Sequence, residues 1–168
     1  MSVSDPSHPK ISVVSPIYNC RDCLVALAER VRETFADTGF DWELVLVDDR
    51  AADAPWGVIS ELAAKDARIR GVRLARNHGQ HLAIWAGLEA ATGDAVAVVD
   101  CDLQDDPIVI PQLWEALQAG EAEAVVVDRG EWSDSRLRRF ASRSFYGVVK
   151  TLTGVRIDNI GNFGLYSR

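Results

Sequence analysis

The chain has 168 residues, 48% of them apolar and 26% charged, which suits one folded domain with a real core and hardly two domains. Its formal net charge of −7 argues against a nucleic-acid binder, because such affinity comes largely from Lys and Arg neutralising phosphates. It does not exclude a phosphate-bearing ligand, since a bound divalent cation can supply the missing positive charge.

The opening stretch, Met1–Lys10, is polar, holds two prolines and carries no secretory signal. We expect a short disordered lead there, with the folded domain over 11–168. Apolar, β-branched runs then alternate with helix-like stretches. The predicted strands are Ile11–Ser15, Glu43–Val47, Ile69–Leu74, Ala95–Val99 and Ala124–Val127. The predicted helices are Asp22–Ala36, Trp56–Lys65, Gln80–Ala91 and Ile108–Gln118. Leu24, Leu27, Ala28 and Val31 share one helical face, and Leu82, Trp85, Ala86 and Leu88 share another less cleanly. Thr92-Gly93-Asp94 reads as a helix stop and turn. Beyond Arg129 the alternation ends. Ser135–Leu152 reads as a basic amphipathic helix and Gly161–Tyr166 as a last strand.

Short Val- and Leu-rich runs indicate strands buried on both faces, and strand–helix alternation implies a mostly parallel α/β sheet with right-handed crossovers. In such sheets ligands bind beyond the carboxyl ends of the strands. Those ends are polar: Pro16-Ile17-Tyr18-Asn19, Asp48-Asp49-Arg50, Arg76-Asn77-His78 and Asp100-Cys101-Asp102.

Asp100 and Asp102 follow a hydrophobic strand, and residues i and i+2 on extended backbone point the same way. Two such carboxylates repel unless a cation lies between them. Mg²⁺ or Mn²⁺ fits, because a hard ion prefers oxygen ligands and takes the rest from phosphate and water. A solvated turn is the plain alternative. Asp48-Asp49 closes a second strand. One of the two is expected to face the crevice, where it can accept from a base N–H or a ribose hydroxyl, while the other braces the loop.

Cys20, Cys23 and Cys101 are an odd set. No second Cys or His pair gives zinc spacing, so Cys20 and Cys23 are expected to be ordinary buried thiols in a reducing, cytoplasmic setting. The five tryptophans are expected to be packing residues rather than sugar platforms. No apolar run approaches the roughly 18–20 residues of a membrane span.

The run Val99-Asp100-Cys101-Asp102-Leu103-Gln104-Asp105-Asp106-Pro107 resembles the D-x-D-L-Q-D-x-P segment of family 2 glycosyltransferases, with the polyprenyl-phosphate glycosyltransferases as the nearest group. Pro16-Ile17-Tyr18-Asn19 resembles their P-x-Y/F-N motif and Leu46-Val47-Asp48-Asp49 their V-D-D motif. Arg76-Asn77-His78-Gly79-Gln80-His81 resembles their R-N-x-G segment. The likeness runs in order from about Ile11 to Arg168.

The resemblance implies a GT-A fold, a Rossmann-like, mostly parallel sheet with helices on both faces. It implies metal-dependent, inverting transfer of a sugar from a UDP- or GDP-sugar to a polyprenyl phosphate lipid. Pro16, Tyr18, Asn19 and Asp49 would line the nucleoside pocket, and Asp48 and Arg76 are counted with them in the nucleotide-sugar set. Asp102 would be the main metal ligand, with Asp100 on the ribose or the metal. Gln104 would lie near the metal and the donor phosphates. Arg129, Arg136, Arg139 and Arg143 would sit near the acceptor phosphate. A phosphate acceptor is already anionic, whereas a saccharide hydroxyl acceptor needs a base, for which Asp105 and Asp106 are the candidates.

The resemblance also implies work at the cytoplasmic face of a membrane, with a homo-oligomer as a further expectation. Relatives usually continue past the point matching Arg168, so we expect the chain to be truncated there. The family's V-D-D-G-S reads Asp48-Asp49-Arg50-Ala51-Ala52 here, and the usual acidic residue after P-x-Y-N is Cys20. A donor-binding module without catalysis is the alternative function. A dinucleotide-dependent oxidoreductase is a poorer fit, because Pro16–Arg21 lacks the glycines its first turn needs.

Overall fold

The computed structural model describes residues 9–120, 122–128 and 160–168. Six strands form one sheet: β1 Lys10–Ile17, β2 Asp41–Asp48, β3 Ile69–Arg73, β4 Ala95–Val98, β5 Ala124–Asp128 and β6 Ile160–Ser167. Helices α1 Leu24–Phe35, α2 Trp56–Lys65, α3 Gln80–Ala90 and α4 Ile110–Ala119 alternate with them. The strand order is β3-β2-β1-β4-β6-β5. β1 pairs in parallel with β2 and β4, and β2 with β3. β6 runs antiparallel to β4. The chain divides into two compact units, Met1–Val125 with Asn162–Arg168, and Val126–Gly161. The site described below lies in the first. Of the second, the described residues are only the ends of β5 and β6. The predicted helix Ser135–Leu152 falls outside the described residues. No helix among the described residues is long and apolar enough to cross a membrane.

From Ile11 to Ile17 and from Trp42 to Asp48 every residue is buried, as expected of strands covered on both faces. α3 covers the face carrying Val14, Val45 and Val47. A Cβ at Gly87 would collide with Val14 Cγ1 and sit 3.1 Å from Val47 Cγ2, so only glycine lets α3 lie this close. α2 covers the other face, where a Cβ on Gly71 would stand 2.6 Å from Ile59 Cγ2. The α1 face is as predicted, with Leu24, Leu27, Ala28 and Val31 all buried. The α3 face is not. Leu82 and Trp85 are exposed, and Ala83 and Gly87 are the buried positions. Ala86 and Leu88, the other half of the predicted face, are partly buried and pack against the same cluster. Small residues lie nearest the sheet because the helix approaches it so closely. Of the other tryptophans, Trp42 is buried and stacks on Phe35 at 6.1 Å, while Trp114 meets Phe40 edge-on at 6.2 Å. Trp132 lies outside the described residues.

The amino end of the sheet is closed by Glu43, a buried carboxylate on β2. Its Oε1 accepts from Ser12 Oγ at 2.6 Å, Thr92 N at 2.6 Å and Thr92 Oγ1 at 2.9 Å. Its Oε2 accepts from Arg70 Nη1 at 3.2 Å and lies 3.8 Å from Lys10 Nζ. Ser12 Oγ in turn accepts from Gly93 N at 2.8 Å. The predicted Thr92-Gly93-Asp94 stop is thereby pinned to the start of β1. Burial raises the Glu43 pKa, but the bonds from Ser12 and Thr92 and the Lys10 charge outweigh it, holding the group below its ordinary value.

Two stability predictions follow from this packing. Gly87→Ala should lower the unfolding free energy by about 1–3 kcal/mol through overpacking, read by urea denaturation. Glu43 has a native pKa below its ordinary 4.5, so its contribution is complete above that value and is lost as pH falls through the native one. Glu43→Gln should therefore be less stable at neutral pH and show a shallower loss of stability on acidification. Urea midpoints taken from about pH 6 down to pH 3 would read the difference.

Candidate functional site

The parallel register brings the strand ends level. Pro16 stands beside Val47, Ile17 beside Asp48, and Val14 beside both Val45 and Val98. The loops that follow β1, β2, β3 and β4 therefore emerge together and enclose a cleft of about 520 Å³. Pro16, Ile17, Tyr18, Asn19 and Cys20 line it from the β1 end, and Asp49 from the β2 end. Asn77, Gly79, Gln80 and Ala83 line it from the α3 side, and Asp100, Cys101 and Asp102 from the β4 end.

Each loop turns through a left-handed residue. Asn19 has φ 53°, Arg50 55° and Leu103 60°, and Gly79 has 88°. Side-chain-bearing residues pay roughly 1–2 kcal/mol for that conformation. The missing glycine of Asp48-Asp49-Arg50 thus leaves the turn in place, with Arg50 adopting it and donating from Nε to the Ala75 carbonyl at 3.2 Å.

The two acids of the β2 end divide as expected. Asp49 is buried, lines the cleft, and accepts from His78 N at 2.8 Å and Gly79 N at 2.7 Å, one bond on each oxygen. It clips the loop ahead of α3 to the sheet. Asp48 braces the β2–α2 loop instead. Its Oδ1 accepts from Ala51 N at 3.1 Å and its Oδ2 pairs with Arg73 Nε at 3.1 Å. Asp48 is not among the residues that line the cleft. A further brace joins Arg21 N to Asp53 Oδ2 at 2.7 Å.

Asp100 and Asp102 both line the cleft, although β4 ends at Val98 and the pair lies beyond it, with Asp102 in a turn. Asp100 Oδ1 accepts from Gln80 Nε2 at 3.0 Å. Asp102 is exposed, and its Oδ1 accepts from Gln104 N at 3.1 Å. Gln104, Asp105 and Arg76 do not line the cleft: Gln104 and Arg76 are exposed and Asp105 is buried. Asp106 caps the short helical turn Pro107–Val109 by accepting from Ile108 N at 3.0 Å. It also takes both Arg30 Nε at 2.8 Å and Nη2 at 2.6 Å. The Arg30 guanidinium holds the Asp106 carboxyl below its ordinary range, which makes it a poor base. Arg129, Arg136, Arg139 and Arg143 lie outside the described residues.

Cys20 and Cys23 are joined as a disulfide, so the expectation of separate buried thiols is corrected. With it goes the cysteine argument for a reducing compartment. Cys20 Sγ lies 3.5 Å from the Cys101 carbonyl oxygen, a packing contact because a disulfide sulfur carries no hydrogen. Cys101 is free and buried. Burial, with the neighbouring carboxylates, pushes its thiol above the ordinary value, so it stays protonated at neutral pH and is a weak nucleophile.

The cleft offers a hard cation oxygen donors from Asp100 and Asp102. Among the described residues no group of three or more His, Cys, Asp or Glu forms a cage. That donor set suits an ion such as Mg²⁺ or Mn²⁺, which needs only one or two protein carboxylates when phosphate oxygens complete its shell.

The fold and the cleft define a doubly wound α/β protein that takes its ligand at the carboxyl ends of its strands. The sequence matches the family model described as glycosyl transferase family 2 over residues 12–168, and the chain belongs to that family. It is 37% identical over 161 residues to the prophage bactoprenol glucosyl transferase homolog of Escherichia coli K12, an alignment covering 95% of this chain and 52% of the relative. It is 39% identical over 152 residues to the undecaprenyl-phosphate 4-deoxy-4-formamido-L-arabinose transferase of Pseudomonas fluorescens, covering 90% and 44%. The chain thus spans about half the length of these curated relatives.

Among solved structures, glucosyl-3-phosphoglycerate synthase of Mycobacterium tuberculosis, in complex with Mn²⁺, UDP and glucosyl-3-phosphoglycerate, superposes with a TM-score of 0.68 at 22% identity. That match covers 95% of this chain and 57% of the other. The mannosyltransferase PcManGT of Pyrobaculum calidifontis, in complex with GDP-mannose and Mn²⁺, gives 0.64 at 18% identity, covering 97% and 46%. The sheet and its helices are therefore of the GT-A type.

The Arg50 turn can be tested directly. Arg50→Gly should leave stability unchanged or raise it by up to about 1 kcal/mol, since glycine removes the left-handed penalty at some entropic cost. Arg50→Val should lower it by more than about 1 kcal/mol, because a β-branched residue fits that conformation worst. Chemical denaturation of both variants would check the pair.

Proposed function

We propose that the chain is the donor-binding catalytic domain of a metal-dependent, inverting glycosyltransferase that moves a sugar from a UDP- or GDP-sugar to a polyprenyl phosphate. One observation carries the reading: Pro16, Tyr18, Asn19, Asp49, Asp100 and Asp102, distant in sequence, line a single cleft of about 520 Å³ at the ligand-binding edge of the sheet. That is the size of a small-molecule site. Tyr18, with 60% of its surface exposed, offers a ring against which a base can stack. Asp49, held by two backbone N–H groups, keeps further acceptor capacity for a base or ribose donor. Asp102, and with it Asp100, would hold Mg²⁺ or Mn²⁺, which when bound neutralises charge developing on the departing nucleoside diphosphate.

Direct displacement at the anomeric carbon needs no protein nucleophile, and the protonated, buried Cys101 is not one. The state of the acids favours an anionic acceptor. A hydroxyl acceptor requires a base within reach. Asp106 is tied to Arg30 and capping a turn, and Asp105 is buried away from the cleft. A phosphate acceptor attacks already ionised. The names of the two relatives, both transferases of lipid-carried sugars, point the same way. Work at the cytoplasmic membrane face, Arg129, Arg136, Arg139 and Arg143 as the acceptor-phosphate set, and assembly into a homo-oligomer are parts of the same proposal.

Calorimetry with UDP, GDP and their sugars, with and without Mn²⁺, should find one nucleotide that binds only when the metal is present. Asp102→Asn should abolish that dependence and slow transfer by roughly 10³-fold or more. Binding unchanged in Asp102→Asn would sink the assignment.

A further inference from the structure

We propose that the Cys20–Cys23 disulfide is a redox switch on the donor site, which binds nucleotide well when the bridge is oxidised and less well once a dithiol has reduced it. The inference rests on the donor-site reading above and adds its regulation.

The bridge stands where a bound nucleotide would feel its loss. Cys20 directly follows Pro16-Ile17-Tyr18-Asn19, and all five residues line the cleft. That segment leaves β1 at Ile17, passes through the left-handed Asn19 and is tied down again by the bridge. Cys20 Sγ also packs against the Cys101 carbonyl oxygen at 3.5 Å, so the bridge touches the loop that carries Asp100 and Asp102. Neither Cys20, ahead of the short helical turn Arg21–Cys23, nor Cys23, ahead of α1, supplies a side-chain cap. Hydrogen bonds from Arg21 N to Asp53 Oδ2 at 2.7 Å and from Cys23 N to the Cys20 carbonyl at 3.2 Å brace the turn beside the bridge. Without the bridge the turn has more conformations to lose when a nucleotide binds, and affinity falls by that entropy.

A purely structural role accounts for the bridge less well. It joins residues only three apart in sequence, and the constraint a disulfide places on the unfolded chain grows with loop length. Helix α1, which follows, is already seated by the buried Leu24, Leu27, Ala28 and Val31. At the cytoplasmic membrane face proposed above, disulfides are rare, and those that form there are usually transient or redox-sensing.

The exchange is chemically complete. Cys20 is buried and Cys23 half-buried, so the thiolate of the reductant attacks Cys23 Sγ. A bond forms between those two sulfurs, the Cys20–Cys23 bond breaks, and Cys20 leaves as a thiolate that takes a proton from water. The second thiol of the reductant then loses its proton and attacks its own partner sulfur in the mixed disulfide, releasing Cys23 as a thiol. The chain's bridge is reduced to a pair of thiols and the dithiol is oxidised to a disulfide.

Thiol counting and calorimetry test the switch. The chain purified without reductant should carry one alkylatable thiol on denaturation, Cys101, and all three after a dithiol has acted on the native chain. Affinity for UDP or GDP with Mn²⁺ should fall roughly three- to tenfold when the chain is reduced by a phosphine, and return on reoxidation. Cys23→Ser, at a position that does not line the cleft, should bind at the reduced level in either condition. Three thiols in the purified chain, or a bridge that the dithiol leaves intact in the native state, would overturn the inference. So would a redox response that persists in Cys23→Ser, or equal affinity in both states with only a lowered melting temperature, which is the result a purely structural bridge gives. Each of these leaves the donor site standing. An oxidised chain that binds neither nucleotide with Mn²⁺ would overturn the donor-site reading, and the switch with it.

Discussion

The site depends on one carboxylate that does not need to touch a metal. Asp49 closes β2 with both oxygens on the backbone of the next loop, at His78 and Gly79. Those two bonds decide where α3 begins. The start of α3 decides where Gln80 stands, and Gln80 reaches the acid pair beyond β4. Two neighbouring strand ends, β1 and β4, carry the rest of the lining, and the β2 end reaches across to them through this link. An isolated acid at a strand end would be mobile. Tied to two amides, it becomes part of the scaffold and still presents a face to the cleft.

The same edge of the sheet accepts local strain. Asn19, Arg50 and Leu103 all take left-handed backbone, each just beyond a strand. Asparagine does so at little cost, whereas arginine and leucine do so against their preference. Such conformations persist where the surroundings over-determine them. Here the surroundings are identifiable: Asp48 holds Ala51 N, Arg50 reaches the Ala75 carbonyl, and Asp102 holds Gln104 N.

Much of this was legible in the sequence, and the exceptions have physical reasons. The strand–helix alternation located the four parallel strands, the edge strand β5 and the four helices to within two residues, because buried parallel strands announce themselves as Val- and Leu-rich runs. Helix α1 could be read because its apolar residues occupy one side only. Helix α3 could not, because apolar residues surround it. Periodicity cannot say whether Trp85 or Gly87 faces the sheet when the deciding factor is how closely the backbone approaches. Asp48 and Asp49 were predicted to divide between brace and cleft, and the family resemblance put Asp49 in the pocket; the bonds that hold them, to Arg73 and to the His78 loop, come from far along the chain. Glu43 read only as a strand residue. Its partners Ser12, Arg70 and Thr92 lie 31, 27 and 49 positions away, and no local pattern reports such a network. The Cys20–Cys23 spacing permitted a bridge without requiring one.

The partners of the acids bear on how a cation could be held. Away from the cleft, several carboxylates meet cations: Asp48 with Arg73, Asp66 with Arg32 and Arg68, Asp106 with Arg30, and Glu43 with Arg70 and Lys10. The effect is visible in Asp66, which its Arg68 bond holds far below the ordinary carboxylate range. In the cleft, Asp49 and Asp102 accept from backbone N–H groups, and one bond to Asp100 comes from a side-chain amide. A guanidinium would satisfy these carboxylates as well as an amide does, and it would also cancel the field that draws a divalent cation. Neutral donors fix the geometry and leave the field in place. On the proposed function, a chain of net charge −7 would hold an anionic diphosphate in two stages: its acids would recruit the cation, and the cation would receive the phosphate.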